Sequence, residues 1–169
     1  FEGRRVIVSG SGNVALYTCK KAADLGARVV AMCDSGGYVV DENGIDFETM
    51  REIKEVRRAR ISEYAKQVPT AKFFPCGSIW SVPCDIALPC ATQNELDAAG
   101  AEALVRNGVI AVGEGANMPS TPQAIEIFRE AGVLFAPAKA ANAGGVAVSG
   151  LEMSQNSQYF YWTLEEVDS

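Results

Sequence analysis

Six consecutive residues near the start of the chain, Gly10-Ser11-Gly12-Asn13-Val14-Ala15, have the GxGxxA spacing that suits a pyrophosphate. Gly10 permits a tight turn, Gly12 keeps a side chain out of the space the phosphates need, and Ala15 lets a helix pack closely on the preceding strand. A helix starting at about Val14 presents free N–H groups and a positive dipole end to an anion. The glycine spacing alone is weak and also suits a plain turn. What strengthens it is a β-branched run before the motif and helical spacing after it.

Asp34 lies about 20 positions beyond this turn, where a carboxylate hydrogen-bonds the adenosine ribose of NAD. It also suits a turn leading into Ser35-Gly36-Gly37. Three further clusters of small polar residues follow: Ala91-Thr92-Gln93-Asn94, Gly115-Ala116-Asn117-Met118-Pro119 and Ala141-Asn142-Ala143-Gly144-Gly145. Each comes after a strand-like run, so all three are expected at the carboxyl edge of a sheet, where ligands of open α/β folds lie. Amides there can bind a ribose or a carboxamide. On these grounds Ala91, Thr92, Gly115, Ala116, Asn117 and Asn142 join Gly10, Ser11, Gly12, Asn13, Val14, Asp34 and Ser35 as cofactor-binding candidates.

The elements that must position these residues follow from apolar periodicity. Residues 5–9 read as a strand, 14–25 as a helix closed by Gly26, and 28–33 as a strand buried on both faces, which together make a βαβ unit. Gly36-Gly37 and Asn43-Gly44 bracket a short excursion at 38–40, and a long polar helix is expected over 47–67. Strands at 72–74, 85–88, 109–112 and 133–135 alternate with helices at 95–106 and 122–131, and a last helix runs over 144–161. The pattern predicts an α/β fold, Rossmann-like and doubly wound, with a mostly parallel sheet and helices on both faces.

With 169 residues the chain suits one domain, burying roughly 70% of its unfolded surface. Charged residues make up 21% and the net charge is −6, which gives the surface no electrostatic reason to attract nucleic acid or an anionic membrane. No apolar run approaches the length of a bilayer span. Five cysteines without a CxxC pair, and no histidine, argue against a metal site and for reduced thiols in a cytoplasmic protein. The chain enters a strand almost at once, without an initiator methionine, and ends in a polar stretch after a helix. This reads as a segment cut from something longer.

Several strings together carry a family resemblance: Gly-Ser-Gly-Asn-Val-Ala at 10–15, Cys-Asp-Ser-Gly-Gly at 33–37, Leu-Pro-Cys-Ala-Thr-Gln-Asn-Glu-Leu at 88–96, Glu-Gly-Ala-Asn-Met-Pro at 114–119 and Lys-Ala-Ala-Asn-Ala-Gly-Gly-Val at 139–146. The chain resembles, along its whole length, the nucleotide domain of bacterial hexameric glutamate dehydrogenases. The resemblance implies reversible oxidative deamination of L-glutamate to 2-oxoglutarate and ammonia, in a homohexamer whose contacts lie largely in a preceding domain. That domain, absent here with the C-terminal helices, would supply the catalytic lysines and aspartate, so no catalytic residue is assigned in this chain. Lys139 reads as structural. Val146 and Ser149 would face the substrate, with the Ser149 hydroxyl as donor to the glutamate side-chain carboxylate.

By the Asp34 rule the cofactor would be NAD, yet the resemblance and the local charges favour NADP. Arg57, Arg58 and Arg60 fall late in the expected 47–67 helix, and Ser35 with the Gly36 and Gly37 amides could wall a 2′-phosphate pocket. Arg57 and Arg60 are the candidates carried forward. Two alternatives stay open: a related dehydrogenase for leucine, valine or phenylalanine, which would want an apolar residue in place of Ser149, and a stand-alone nucleotide-binding or regulatory module.

Overall fold

The computed structural model describes residues 1–168, with the side chains of Leu164 and Asp168 left aside. The first strand, β1 (Arg5–Val8), sends alternate side chains to opposite faces. Val6 and Val8 enter one apolar core, while Ile7 enters another on the far side of the sheet. All three are fully buried, as a strand covered on both faces requires. Helix α1 (Asn13–Asp24) buries Ala15, Leu16, Cys19 and Ala22 against the first core. Gly26, at φ 82°, turns the chain into β2 (Arg28–Asp34), which runs parallel to β1.

The chain then reverses. Strand β3 (Gly37–Val40) is antiparallel to β2, and β4 (Lys72–Phe74) is antiparallel to β3. Glycine is required at position 37, where φ is 141° and a Cβ would stand 2.2 Å from the Phe74 carbonyl oxygen. Beyond β1 the sheet continues through β5 (Ile86–Leu88), β6 (Ala111–Gly113) and β7 (Leu134–Ala136), all parallel. The order is β4-β3-β2-β1-β5-β6-β7, and its direction of growth reverses between β1 and β5. Helices α4 (Ala98–Arg106) and α5 (Pro122–Glu130), capped by Asp97 and Thr121, cover the second core. The mostly parallel, doubly wound sheet is therefore as expected, with the 38–40 excursion and 72–74 forming an antiparallel edge.

The expected long helix over 47–67 is not one helix. It divides into α2 (Phe47–Arg51), a wider π turn at Glu52–Val56, a left-handed residue at Arg58 (φ 50°) and α3 (Ser62–Gln67). Competing acceptors and donors explain the break. The Ile61 amide donates to the Asp34 carboxylate at 2.9 Å, and Lys54 Nζ donates to the Ala59 carbonyl at 2.8 Å, so local backbone groups are used outside a helical ladder. Met50, Ile53, Ile61 and Tyr64 still all reach the first core. Buried Tyr64 closes the excursion by accepting a hydrogen bond from the Asp46 amide at 2.7 Å.

The last part differs modestly from expectation. A short α6 (Ala138–Ala141) precedes α7 (Ala143–Gln158), which stops at left-handed Tyr159 rather than continuing to 161, and α8 (Leu164–Asp168) follows. Helix α7 buries none of its residues, and Tyr159 and Tyr161 are almost fully exposed. Among the described residues no helix is long and apolar enough to cross a membrane.

Replacing Tyr64 by Phe removes the acceptor of the part-buried Asp46 amide, and we expect a loss of about 1 kcal/mol. Urea denaturation measures it. An unchanged midpoint would show that Tyr64 contributes only its ring.

Candidate functional site

At the carboxyl end of β1, Gly10 adopts φ 86°, and a Cβ on it would lie 3.0 Å from Ala91. Its amide donates to the Cys33 sulfur at 3.1 Å. Gly12 is the extended residue that opens α1; no side chain caps the helix, and its first turn holds no acid. A Cβ at Gly12 would meet nothing within 4 Å, so the space above the helix amino terminus is open. The turn thus leaves the first N–H groups of α1 free to receive an anion.

Asp34, at the end of β2, closes one side of a cleft of about 580 Å³ that also takes in Gly10–Val14 and Ser35. Its carboxylate is already committed. Oδ1 accepts from the Gly36 amide at 2.7 Å, while Oδ2 accepts from the Ile61 amide at 2.9 Å and from Lys54 Nζ at 3.4 Å. Burial pulls its pKa upward, but the two amides and the lysine outweigh that and hold it below the ordinary aspartate value. Beside it, Arg60 donates to the Ser35 hydroxyl at 2.6 Å and lines the same cleft.

Arg57 does not join this group. Its guanidinium pairs with Glu63 at 3.7 Å and lies outside the cleft wall, because the π turn and the left-handed Arg58 rotate it away from Ser35. Lys54 takes the place foreseen for it. Sequence reasoning missed Lys54, since within a continuous helix it would belong to a solvated face.

A second cleft, of about 590 Å³, shares Val14, Cys90 and Ala91 with the first, so the two form one continuous groove across the β1/β5 reversal. Its wall brings together Ala91 and Thr92, then Gly115, Ala116 and Asn117, then Asn142, with Val146 and Ser149 from the first turns of α7. Lys139 lies outside this groove, in a neighbouring apolar depression beside Met118. Cys90, buried between the halves, is a neutral thiol whose pKa burial pushes up to about 11. Gly115 packs so closely on it that a Cβ would come within 2.5 Å of its sulfur.

Two carboxylates and one amide hold the loops in place, and sequence reasoning had assigned neither carboxylate a role. Glu114 is buried; one oxygen accepts from the Ser120 amide at 3.2 Å and the other from the Ala138 amide at 2.8 Å, fixing both ends of the second cluster against α6. Asn142 donates to the Gly115 and Ala116 carbonyls and, at 2.9 Å, to the Asn117 side chain, which ties the second cluster to the third. Glu95 does the same for the first cluster, through the Ala91 and Thr92 amides. A glutamate after an expected strand was the available signal, but nothing in its spacing says that it faces backbone.

The sequence model of the glutamate/leucine/phenylalanine/valine dehydrogenases matches residues 1–169. The chain belongs to this family. An NADP-specific glutamate dehydrogenase of Escherichia coli (strain K12) is 56% identical over 172 residues, covering 100% of this chain and 38% of that enzyme. The NAD(P)-specific glutamate dehydrogenase of Xylanibacter ruminicola is 53% identical over 171 residues, with 99% and 38% covered. Among solved structures, the glutamate dehydrogenase of Plasmodium falciparum superposes with a TM-score of 0.93 at 51% identity, over 98% of this chain and 36% of its own. The chain therefore spans about 38% of the length of these curated relatives.

The Glu114 clamp uses both carboxylate oxygens as acceptors, so Glu114→Gln turns an NH₂ group toward an amide donor. We expect a loss of about 1–3 kcal/mol in chemical denaturation, with faster hydrogen exchange at Ala138 or Ser120. Unchanged exchange at both would remove the clamp from the account.

Proposed function

We propose that this chain is the NADP-binding part of a glutamate dehydrogenase, which interconverts L-glutamate with 2-oxoglutarate and ammonia. One observation carries the cofactor reading: the Asp34 carboxylate, which elsewhere would select the ribose of NAD, is saturated by two amides and Lys54, while Arg60 stands at Ser35. A carboxylate engaged in this way and offset by Lys54 repels a 2′-phosphate less, and Arg60 beside it attracts one. The residues fit the cofactor: Gly12 leaves a cradle that any side chain would fill, and the uncapped start of α1 offers its amides to the pyrophosphate.

Gly10, Ser11, Gly12, Asn13 and Val14 would hold the pyrophosphate, with Asp34, Ser35, Lys54 and Arg60 around the adenosine ribose. Ala91, Thr92, Gly115, Ala116, Asn117 and Asn142 would hold the other half. Bound there, the nicotinamide supplies the hydride acceptor for the substrate α-carbon. Ser149, in the same groove wall as Val146, would orient substrate by donating to its side-chain carboxylate. The acid–base groups and the contacts of a homohexameric parent would come from polypeptide beyond this chain. We further propose small-molecule partners, with no part for nucleic acid or membrane, and the cytoplasm as the working compartment.

Arg60→Ala should weaken NADP binding about tenfold to a hundredfold, as for loss of a charged hydrogen bond worth about 1.5–3 kcal/mol, while NAD affinity stays nearly constant. Arg57→Ala should leave both nearly unchanged. Isothermal calorimetry with each cofactor checks this; equal losses for NADP and NAD would show that Arg60 does not read the 2′-phosphate.

In the full-length polypeptide, Ser149→Ala should raise the KM for glutamate by a factor that corresponds to about 1.5–3 kcal/mol, with the KM for cofactor little changed. Steady-state kinetics with glutamate and NADP varied in turn would reveal it. An unaltered KM for glutamate contradicts the assigned contact.

A further inference from the structure

Glu95 belongs to neither cleft wall, yet it joins the two strands between which the groove opens. It lies after β5, and its Oε1 accepts three hydrogen bonds: from the Ser9 hydroxyl at 2.8 Å, the Ala91 amide at 2.8 Å and the Thr92 amide at 3.3 Å. The Ser9 hydroxyl in turn accepts from the Cys90 amide at 2.8 Å. Ser9 has no exposed surface and immediately precedes Gly10. A single carboxylate oxygen therefore ties the start of the glycine turn to residues 90–92, of which Cys90 and Ala91 line both halves of the groove.

The tie is a built one. Trp80 Nε1 donates to the Glu95 carbonyl at 3.3 Å and holds the glutamate's own backbone. The ionisable groups that face the carboxylate are the Cys33 and Cys90 thiols, which burial pushes up to about 11 and keeps neutral, and no basic side chain opposes it among the described residues. Desolvation raises the Glu95 pKa, against the hydrogen bonds from Ala91, Ser9 and Thr92 that favour its charged form. A half-buried carboxylate with no cation beside it is a costly way to fasten a loop, and what it fastens is the wall where the adenosine end of the groove gives way to the other end.

We infer that Glu95 is a positioning residue that sets the Ala91–Thr92 wall against the glycine turn and so governs affinity for the nicotinamide half of the cofactor and not for its adenosine half. The inference rests on the dinucleotide reading of the groove. Without Glu95, the Ala91 and Thr92 amides and the Ser9 hydroxyl lose their acceptor together, and the wall is free to turn. The adenosine end stays anchored by Ser35, Lys54 and Arg60, none of which depends on the 90–92 stretch.

Calorimetric titration of the protein with NADP and with adenosine 2′,5′-bisphosphate separates the two halves. Glu95→Ala should lose about tenfold or more in NADP affinity but less than about twofold for the bisphosphate, and Glu95→Gln, which keeps a carbonyl oxygen in place of Oε1, should recover most of the NADP affinity. Should Glu95→Ala fail to fold by circular dichroism, Ser9→Ala cuts the same bridge from the β1 side and should show the same split at smaller size. Equal losses for both ligands, or none, overturn the inference while leaving the dinucleotide reading standing. Wild-type protein that binds neither ligand overturns both.

Discussion

Strands β1 and β5 lie side by side and parallel, while the chain leaves β1 toward one face of the sheet and leaves β5 toward the other. No connection can then cover the gap above their carboxyl ends, and that gap is the groove. The rest of the molecule answers to this constraint. The glycines at 10 and 12 keep the gap clear, Ala91 packs on Gly10 from across it, and Gly115 lets the next loop approach Cys90. The helices make the two cores that hold the sheet, and the loops at the opposite edge serve only to turn helices back into strands.

Charge is distributed along the groove with the same economy. The protein is acidic overall, yet around the end of β2 two cations, Lys54 and Arg60, meet one carboxylate that is already satisfied. Elsewhere the carboxylates near the groove, Glu95 and Glu114, turn inward to backbone amides and leave the walls to neutral groups. The groove therefore offers an anion site at its glycine turn, a cationic corner beside Ser35, and a neutral remainder lined by amides and small side chains. A dinucleotide with an extra phosphate on the adenosine ribose matches that sequence of environments better than one without it.

Much of this was legible in the sequence because it depends on local rules. The glycine spacing, the runs of buried β-branched residues and the three small-residue clusters each declare themselves within a few residues, and the fold puts them along one edge. What was not legible depends on bonds between distant residues. The break in the 47–67 region follows from Asp34 capturing the amide of Ile61, and the continuous helix expected there carries no signal that separates Arg57 from Arg60 or brings Lys54 to Asp34. Glu95 and Glu114 escaped notice for a related reason: a carboxylate that serves backbone amides has no spacing signature. The antiparallel edge formed by β3 and β4 was only partly foreseen, since the glycine pair at 36–37 announces a turn but not what pairs with it.

The central claim is that one cofactor molecule lies along this groove, with its phosphates on the glycine turn. Titrating NADP into isotopically labelled protein and following backbone amides by NMR tests it most directly. Saturable shifts should concentrate at Gly12, Gly36 and Gly115, on the carboxyl edge of the sheet, and leave Gly26, Gly108 and Gly132, which turn helices into strands at the amino edge, in place. Shifts centred on that second group, or no saturable shift at all, would contradict the account.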